Sequence, residues 1–150
     1  NGHPKPLSEW SRLGLRRADG SRLPRVAIEA SLLIPAGYKG PAFLVYKNYR
    51  TTLVWNRSHL YALAVGHLSD RLIGLGALKR HPPESDQPLR RADIETLESL
   101  LNARGMDAGI PDGILGPKTR AALRTYQKSE GLPPDGYPSK GIIEHLQSKI

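Results

Sequence analysis

Two Asp-Gly pairs, Asp112-Gly113 and Asp135-Gly136, stand 23 residues apart and are the first places in this chain where chemistry could reside. A carboxylate beside a glycine can bond the backbone of its own turn, with the glycine supplying positive φ, or it can be presented to a ligand. A calcium loop is poorly supported. In a pattern ending at Asp112-Gly113, Ala108 and Ile110 occupy places that need oxygen ligands. The five histidines suggest no metal either: His59 and His67 lie eight residues apart on one predicted helix, too far to share an ion. Gly74-Leu75-Gly76 closes a helix and lacks the strand-first context of a dinucleotide loop. Without cysteine there is no thiol chemistry and no disulfide framework. No cofactor and no metal are expected.

The elements that must position the two turns read as an imperfect helical repeat. Gly105 returns as Gly131 and Leu123 as Leu146, so each unit is a helix, a glycine stop, a Pro/Asp/Gly turn and the next helix. The first helix is predicted from about Asp93, as N-cap, through the stripe Ile94, Leu97, Leu100 and Leu101. The second opens at Gly116-Pro117 and carries Ala122, Leu123 and Tyr126 on one face. The third follows Ser139 with Ile142, Ile143, Leu146 and Ile150. These stripes can close one small all-α core.

The first half has a different grammar. Val26 to Ile34 alternates as a strand, and Ala42 to Lys47 and Thr51 to Trp55 read as two more around a short Lys47 to Arg50 connection, giving a small antiparallel sheet. Leu7 to Leu13 reads as a short helix ending at Gly14. Ser58 to Leu75 reads as a helix whose apolar residues run round most of its circumference, which demands burial on more than one side. So few elements offer limited cover, so this half reads as the end of a larger domain. Lys79 to Pro88, with three prolines and no apolar period, is a linker by composition. The division is therefore 1–78, a linker at 79–88, and 89–150, with the boundary near residue 84. The fold class is α+β, then all-α.

Net charge is +8, and it is uneven: residues 1–80 carry +9 and residues 81–150 carry −1. A basic surface suits polyanions, nucleic acid among them, but also wall polymers bearing carboxylates. Use of the second and third helices as a DNA-binding pair is disfavoured because the excess charge lies in the other half. No apolar run reads as a membrane span, and the start at Asn1-Gly2-His3-Pro4 has no signal-peptide pattern and looks internal.

The run of Asp-Gly, then GPKT, Ala-Ala-Leu, Tyr126-Gln127, Gly131-Leu132 and a second Asp-Gly resembles the peptidoglycan-binding domain attached to bacterial cell-wall hydrolases, over about residues 88 to 150. The stretch GPAFLVYKNYRTTLVWNRSHLYALAVGHLSDRL, Gly40 to Leu72, resembles the C-terminal part of the catalytic domain of the membrane-bound lytic murein transglycosylase B family, as does Leu7 to Pro24. The second resemblance implies the end of a lysozyme-like domain. It also implies cleavage of the β-1,4 bond between N-acetylmuramic acid and N-acetylglucosamine with formation of a 1,6-anhydro end. One glutamic acid of raised pKa serves first as acid and then as base.

By that resemblance the catalytic Glu lies N-terminal to Asn1, so the chain alone is expected to be inactive. Glu84-Ser85 superficially matches the family's Glu-Ser pair but sits in the linker. Asn56 and Tyr61 are implied to lie near the acid and substrate, and Trp55 beside the glycan; an amide, a phenol and a flat ring suit those roles. Against this, Asn56 to Ser58 also reads as a helix cap, and Trp55 and Tyr61 as core aromatics. In the binding domain, Asp112, Asp135 and Tyr126 are the candidate contacts to sugar or peptide. The implied partners are peptidoglycan and the remainder of the catalytic domain, with no nucleic acid. The implied place is the periplasm or cell envelope of a Gram-negative bacterium, attachment to the outer membrane being left open. A non-enzymatic wall-anchoring protein is the alternative.

Overall fold

The computed structural model describes residues 3–83 and 86–149, so Glu84, Ser85 and Ile150 lie outside the described residues. The chain forms two compact units, one of Asn1–Pro35 with Gly40–His81, the other of Ala36–Lys39 with Pro82–Ile150.

The first unit is a three-stranded antiparallel sheet with three helices, as the α+β reading requires. Strands β1 (Lys5–Pro6), β2 (Glu29–Leu33) and β3 (Phe43–Val45) lie in the order β1-β2-β3, with Leu32 opposite Leu44. Helix α1 (Leu7–Arg12) follows β1 directly and buries Leu7 against Leu23 and Ala30, and the Trp10 indole N–H donates to the Ala30 carbonyl at 2.8 Å. The strand predicted from Val26 begins only at Glu29. Ile28 N–H closes a tight turn on the Val26 carbonyl instead of joining the ladder, and both side chains remain about half exposed.

The largest correction falls on residues 47–55. The predicted connection and third strand are one helix, α2 (Lys47–Trp55). Thr51, Thr52, Val54 and Trp55 favour strands intrinsically, but β-propensity yields to packing. The Tyr49 ring stacks on His59 at 6.0 Å, and its hydroxyl lies 2.6 Å from His59 Nδ1, joining α2 to helix α3 (His59–Leu72). Helix α3 buries only Ala62 among its described residues. Leu60, Leu68, Leu72 and the following Ile73 are exposed, so the burial its apolar circumference demands is not supplied by this unit.

The second unit is built on helices α4 (Arg91–Ala103), α5 (Pro117–Ser129) and α6 (Lys140–Gln147). Leu97, Leu101, Leu123, Tyr126 and Leu146 meet in its core at no more than 1% exposure. Asp93 is not the N-cap of α4. It sits in the first turn and its Oδ2 reaches back to accept the Arg90 N–H at 2.7 Å. Pro117 opens α5 and the Ser139 hydroxyl caps α6 by accepting the Ile142 N–H.

Two buried polar side chains hold the Asp-Gly turns. Glu98, 1% exposed on α4, accepts the N–H groups of Asp112 and Gly113 on Oε2 at 3.1 and 3.0 Å and the Thr119 hydroxyl on Oε1 at 2.8 Å. Gln127 on α5 accepts the Gly136 N–H at 2.8 Å and donates to Asp135 Oδ1 at 2.7 Å. An arginine stands seven residues before each, and Arg91 Nε donates to the Asp112 carbonyl as Arg120 donates to that of Gly136. Both glycines have positive φ, 72° and 68°, and press against those arginines: a Cβ on Gly113 would fall 2.8 Å from the Arg91 carbonyl oxygen, one on Gly136 3.0 Å from that of Arg120.

Glu98→Ala leaves two backbone N–H groups and a hydroxyl without their acceptor. It is expected to cost about 2–4 kcal/mol of stability, read from urea unfolding of the chain. A loss under about 0.5 kcal/mol, the scale of an ordinary surface substitution, would show that the turn does not depend on this carboxylate.

Candidate functional site

In the first unit the three residues of the WNRSHLY segment sit at the junction of α2 and α3. Asn56 Oδ1 accepts the Ser58 N–H at 2.9 Å, and Ser58 Oγ accepts the Tyr61 N–H at 3.2 Å, so two successive side-chain caps set the entry into α3. Asn56 is therefore fixed by its own oxygen. Tyr61 is 41% exposed and Trp55 87% exposed, so neither is a core aromatic of this unit. Trp55 borders a cleft of about 800 Å³ between β2, β3 and α2, in company with Tyr46, Lys47 and Arg50. Arg50 Nη2 is steered by Ser31 Oγ at 3.3 Å.

In the second unit both aspartates bond their own turns: Asp112 Oδ1 accepts the Ile114 N–H at 2.8 Å and Asp135 Oδ1 that of Tyr137 at 2.9 Å. Asp135 is further committed, since its Oδ2 accepts the Tyr38 N–H at 2.9 Å. Tyr126 cannot meet a polymer. It is 1% exposed, with the Arg104 guanidinium 5.6 Å from its ring centroid and His145 6.1 Å away on centroids, and its place is the core.

A cavity of about 400 Å³ lies beside the α5–α6 connection, bounded by Leu132, Pro133, Asp135, Tyr137, Lys140 and Ile142 among others. Tyr137 donates its hydroxyl to Asp86 Oδ2 at 2.6 Å, and Lys140 Nζ donates to Gln87 Oε1 at 2.8 Å. Partial burial and then the carboxylate of Asp86 push the Tyr137 phenol up to about 12. At the end of α6, hydrogen bonds from Lys149 and His145 hold Glu130 below the ordinary glutamate range. Among the described residues no group of three or more His, Asp or Glu is placed to hold a metal ion. No helix among them is long and apolar enough to cross a membrane.

Residues 1–70 match the family described as "Transglycosylase SLT domain", and residues 90–146 that described as "Putative peptidoglycan binding domain". The two matches follow one another along the chain. Two solved structures of SltB3 from Pseudomonas aeruginosa are 44% identical to it. One, in complex with NAG-anhNAM-pentapeptide, superposes with a TM-score of 0.89 over 97% of this chain. The other, in complex with NAG-NAM-pentapeptide, gives 0.88 over 96%. The chain spans 39% of the length of those solved chains. No curated protein matches it significantly. The resemblances to a transglycosylase domain and a peptidoglycan-binding domain, carried by the WNRSHLY segment and the Asp-Gly repeat, thus hold. The two matched domain types point to the cell envelope.

Of the supporting residues, Glu98 was not singled out by sequence, and Thr119 and Gln127 entered only as letters of the GPKT and Tyr126-Gln127 motifs. The available signal was an acid inside an apolar stripe, between Leu97 and Leu101, and an Arg with Glu or Gln seven residues on in both helices.

A phenol whose pKa is raised in the folded state stabilises below its ordinary value of 10.0 and loses that contribution as pH rises towards about 12. Unfolding of the chain followed between those pH values is expected to show a decline that Tyr137→Phe reduces. An identical decline in the variant would show that the Tyr137–Asp86 bond carries none of it.

Proposed function

We propose that this chain is part of a lytic murein transglycosylase, contributing the end of the catalytic domain over about residues 1–78 and a wall-binding module over 89–150, joined by 79–88. The single observation that carries the reading is the superposition of nearly the whole chain on SltB3, solved with two fragments that differ in an ordinary or an anhydro-muramoyl unit. The proposed place of action is the periplasm, on peptidoglycan.

The reaction needs one carboxyl group. It protonates the oxygen leaving C1 of the muramoyl unit; as carboxylate it then takes the proton from that sugar's C6 hydroxyl, whose oxygen closes on C1. Glu98 is the one carboxylate among the described residues that is fully buried, and its three bonds commit it to the turn. Glu9 pairs with Lys5, Glu95 with Arg91, and Glu130 with Lys149 and His145. As the family resemblance implies, the acid is assigned to a part of the catalytic domain outside this chain. Asn56 and Tyr61 are assigned to orienting the acid and the acetamido group, and Trp55 to stacking on the glycan.

In the whole protein Asn56→Asp keeps the acceptor that caps Ser58 but loses the amide donors. Turnover of murein, followed by mass spectrometry of anhydro-muropeptides, is expected to fall at least about tenfold, or about 1.4 kcal/mol, with the melting temperature little changed. This chain alone is expected to sediment with insoluble sacculi and to release no anhydro products. Failure to sediment, or products with reducing rather than anhydro ends from the whole protein, would overturn the reading.

A further inference from the structure

We propose that the cavity beside the α5–α6 connection is the module's own peptidoglycan site, and that it takes the carboxylate-bearing peptide of the polymer and not its sugar. The inference rests on the peptidoglycan reading above and names the site and the chemical part recognised. Every residue lining the cavity belongs to the second unit, and its volume of about 400 Å³ is of the size that receives a few residues of peptide.

The walls are fixed before any ligand arrives. Asp135 is held by three donors, from Gln127, Tyr137 and Tyr38, and Tyr137 is tied by its hydroxyl to Asp86. Gly37 permits the Tyr38 segment to lie this close, since a Cβ there would come 2.8 Å from Asp135 Oδ2 and 3.0 Å from the Tyr137 ring. Preorganised walls spare a ligand the entropy of ordering them.

The chemistry of the rim favours peptide over sugar. Lys140 uses one of its three ammonium protons on Gln87, which leaves donors for a carboxylate, and Lys39 supplies a second ammonium. Asp86, whose Oδ2 accepts the Tyr137 hydroxyl, has a second oxygen for an amine. Leu132, Pro133 and Ile142 give an apolar floor suited to short aliphatic side chains. A sugar stacks best on an open aromatic face. Tyr38 is the exposed aromatic at this rim, and the Lys39 ammonium lies over its ring, 5.7 Å from the centroid. A peptide carrying carboxylates, an amine and small aliphatic side chains matches what remains, and the fragments solved with SltB3 carry a pentapeptide. Asp112 and Tyr126 lie outside this cavity, and Asp135 serves it as a wall.

The test is titration of the full chain, by amide chemical-shift mapping and calorimetry, with NAG-NAM-pentapeptide and with the same disaccharide lacking its peptide. The peptide-bearing fragment is expected to shift the amides of Leu132, Lys140 and Ile142, and Lys140→Glu to weaken its binding about tenfold or more. Lys140→Glu lies on the surface, and an unchanged melting temperature confirms that it folds. Equal affinity in the variant, or equal affinity of the peptide-free disaccharide, would overturn the assignment. Sedimentation with sacculi separates the two readings: retained sedimentation alongside either of those results removes this site and leaves the wall-binding reading, whereas no sedimentation removes both.

Discussion

The grip of a buried polar side chain on an Asp-Gly turn is the interaction on which the second unit depends. A tight turn brings backbone N–H groups into the interior, where each must find an acceptor or cost about 1–3 kcal/mol. Glu98 meets two such groups with one oxygen and Gln127 meets one with its amide oxygen, while the amide nitrogen of Gln127 returns a bond to the turn's own aspartate. Each grip fixes where the chain re-enters the next helix. The apolar core of Leu97, Leu101, Leu123 and Leu146 supplies most of the driving force, but a hydrophobic core is not directional. The polar grips set the register in which it closes.

That constraint also separates support from function. The aspartates and glycines that are most conspicuous in the repeat are consumed in holding the turns, and the surface left for a partner is the groove that the second turn helps to wall. In the first unit a similar economy holds at Asn56. Its oxygen caps the entry into α3, which fixes the amide plane and leaves the nitrogen end for other partners. A side chain locked by a structural bond is a better positioning group than a free one.

How much of this was legible in the sequence differs between the halves for physical reasons. In the second unit, proline at α5, a serine cap at α6, glycine stops and regular apolar stripes all point to the same three helices, because local preference and tertiary packing agree there. In the first unit they disagree: Thr51 to Trp55 read as strand, yet they belong to a helix that the stack and hydrogen bond between Tyr49 and His59 tie to α3. Asp93 was legible as a cap but not as one acting backwards from the first turn. The Asp-Gly pairs could be picked out by residue type, and Asn56, Tyr61 and Trp55 only through the family resemblance. The cavity could not, since its walls come from residues 36–39, 83, 86–87 and 127–145, brought together only by the fold. Glu98 was visible as a letter, but its burial was not.

The most direct measurement of the central claim is native-state hydrogen exchange of the Gly113 and Gly136 amides. If the buried Glu98 and Gln127 side chains hold the turns as part of the core, both amides will exchange only as slowly as the core helical amide of Leu123, through cooperative opening of the unit. Exchange of either at rates close to those of an unstructured peptide, with Leu123 still protected, would contradict the account, because the turns would then open without the core.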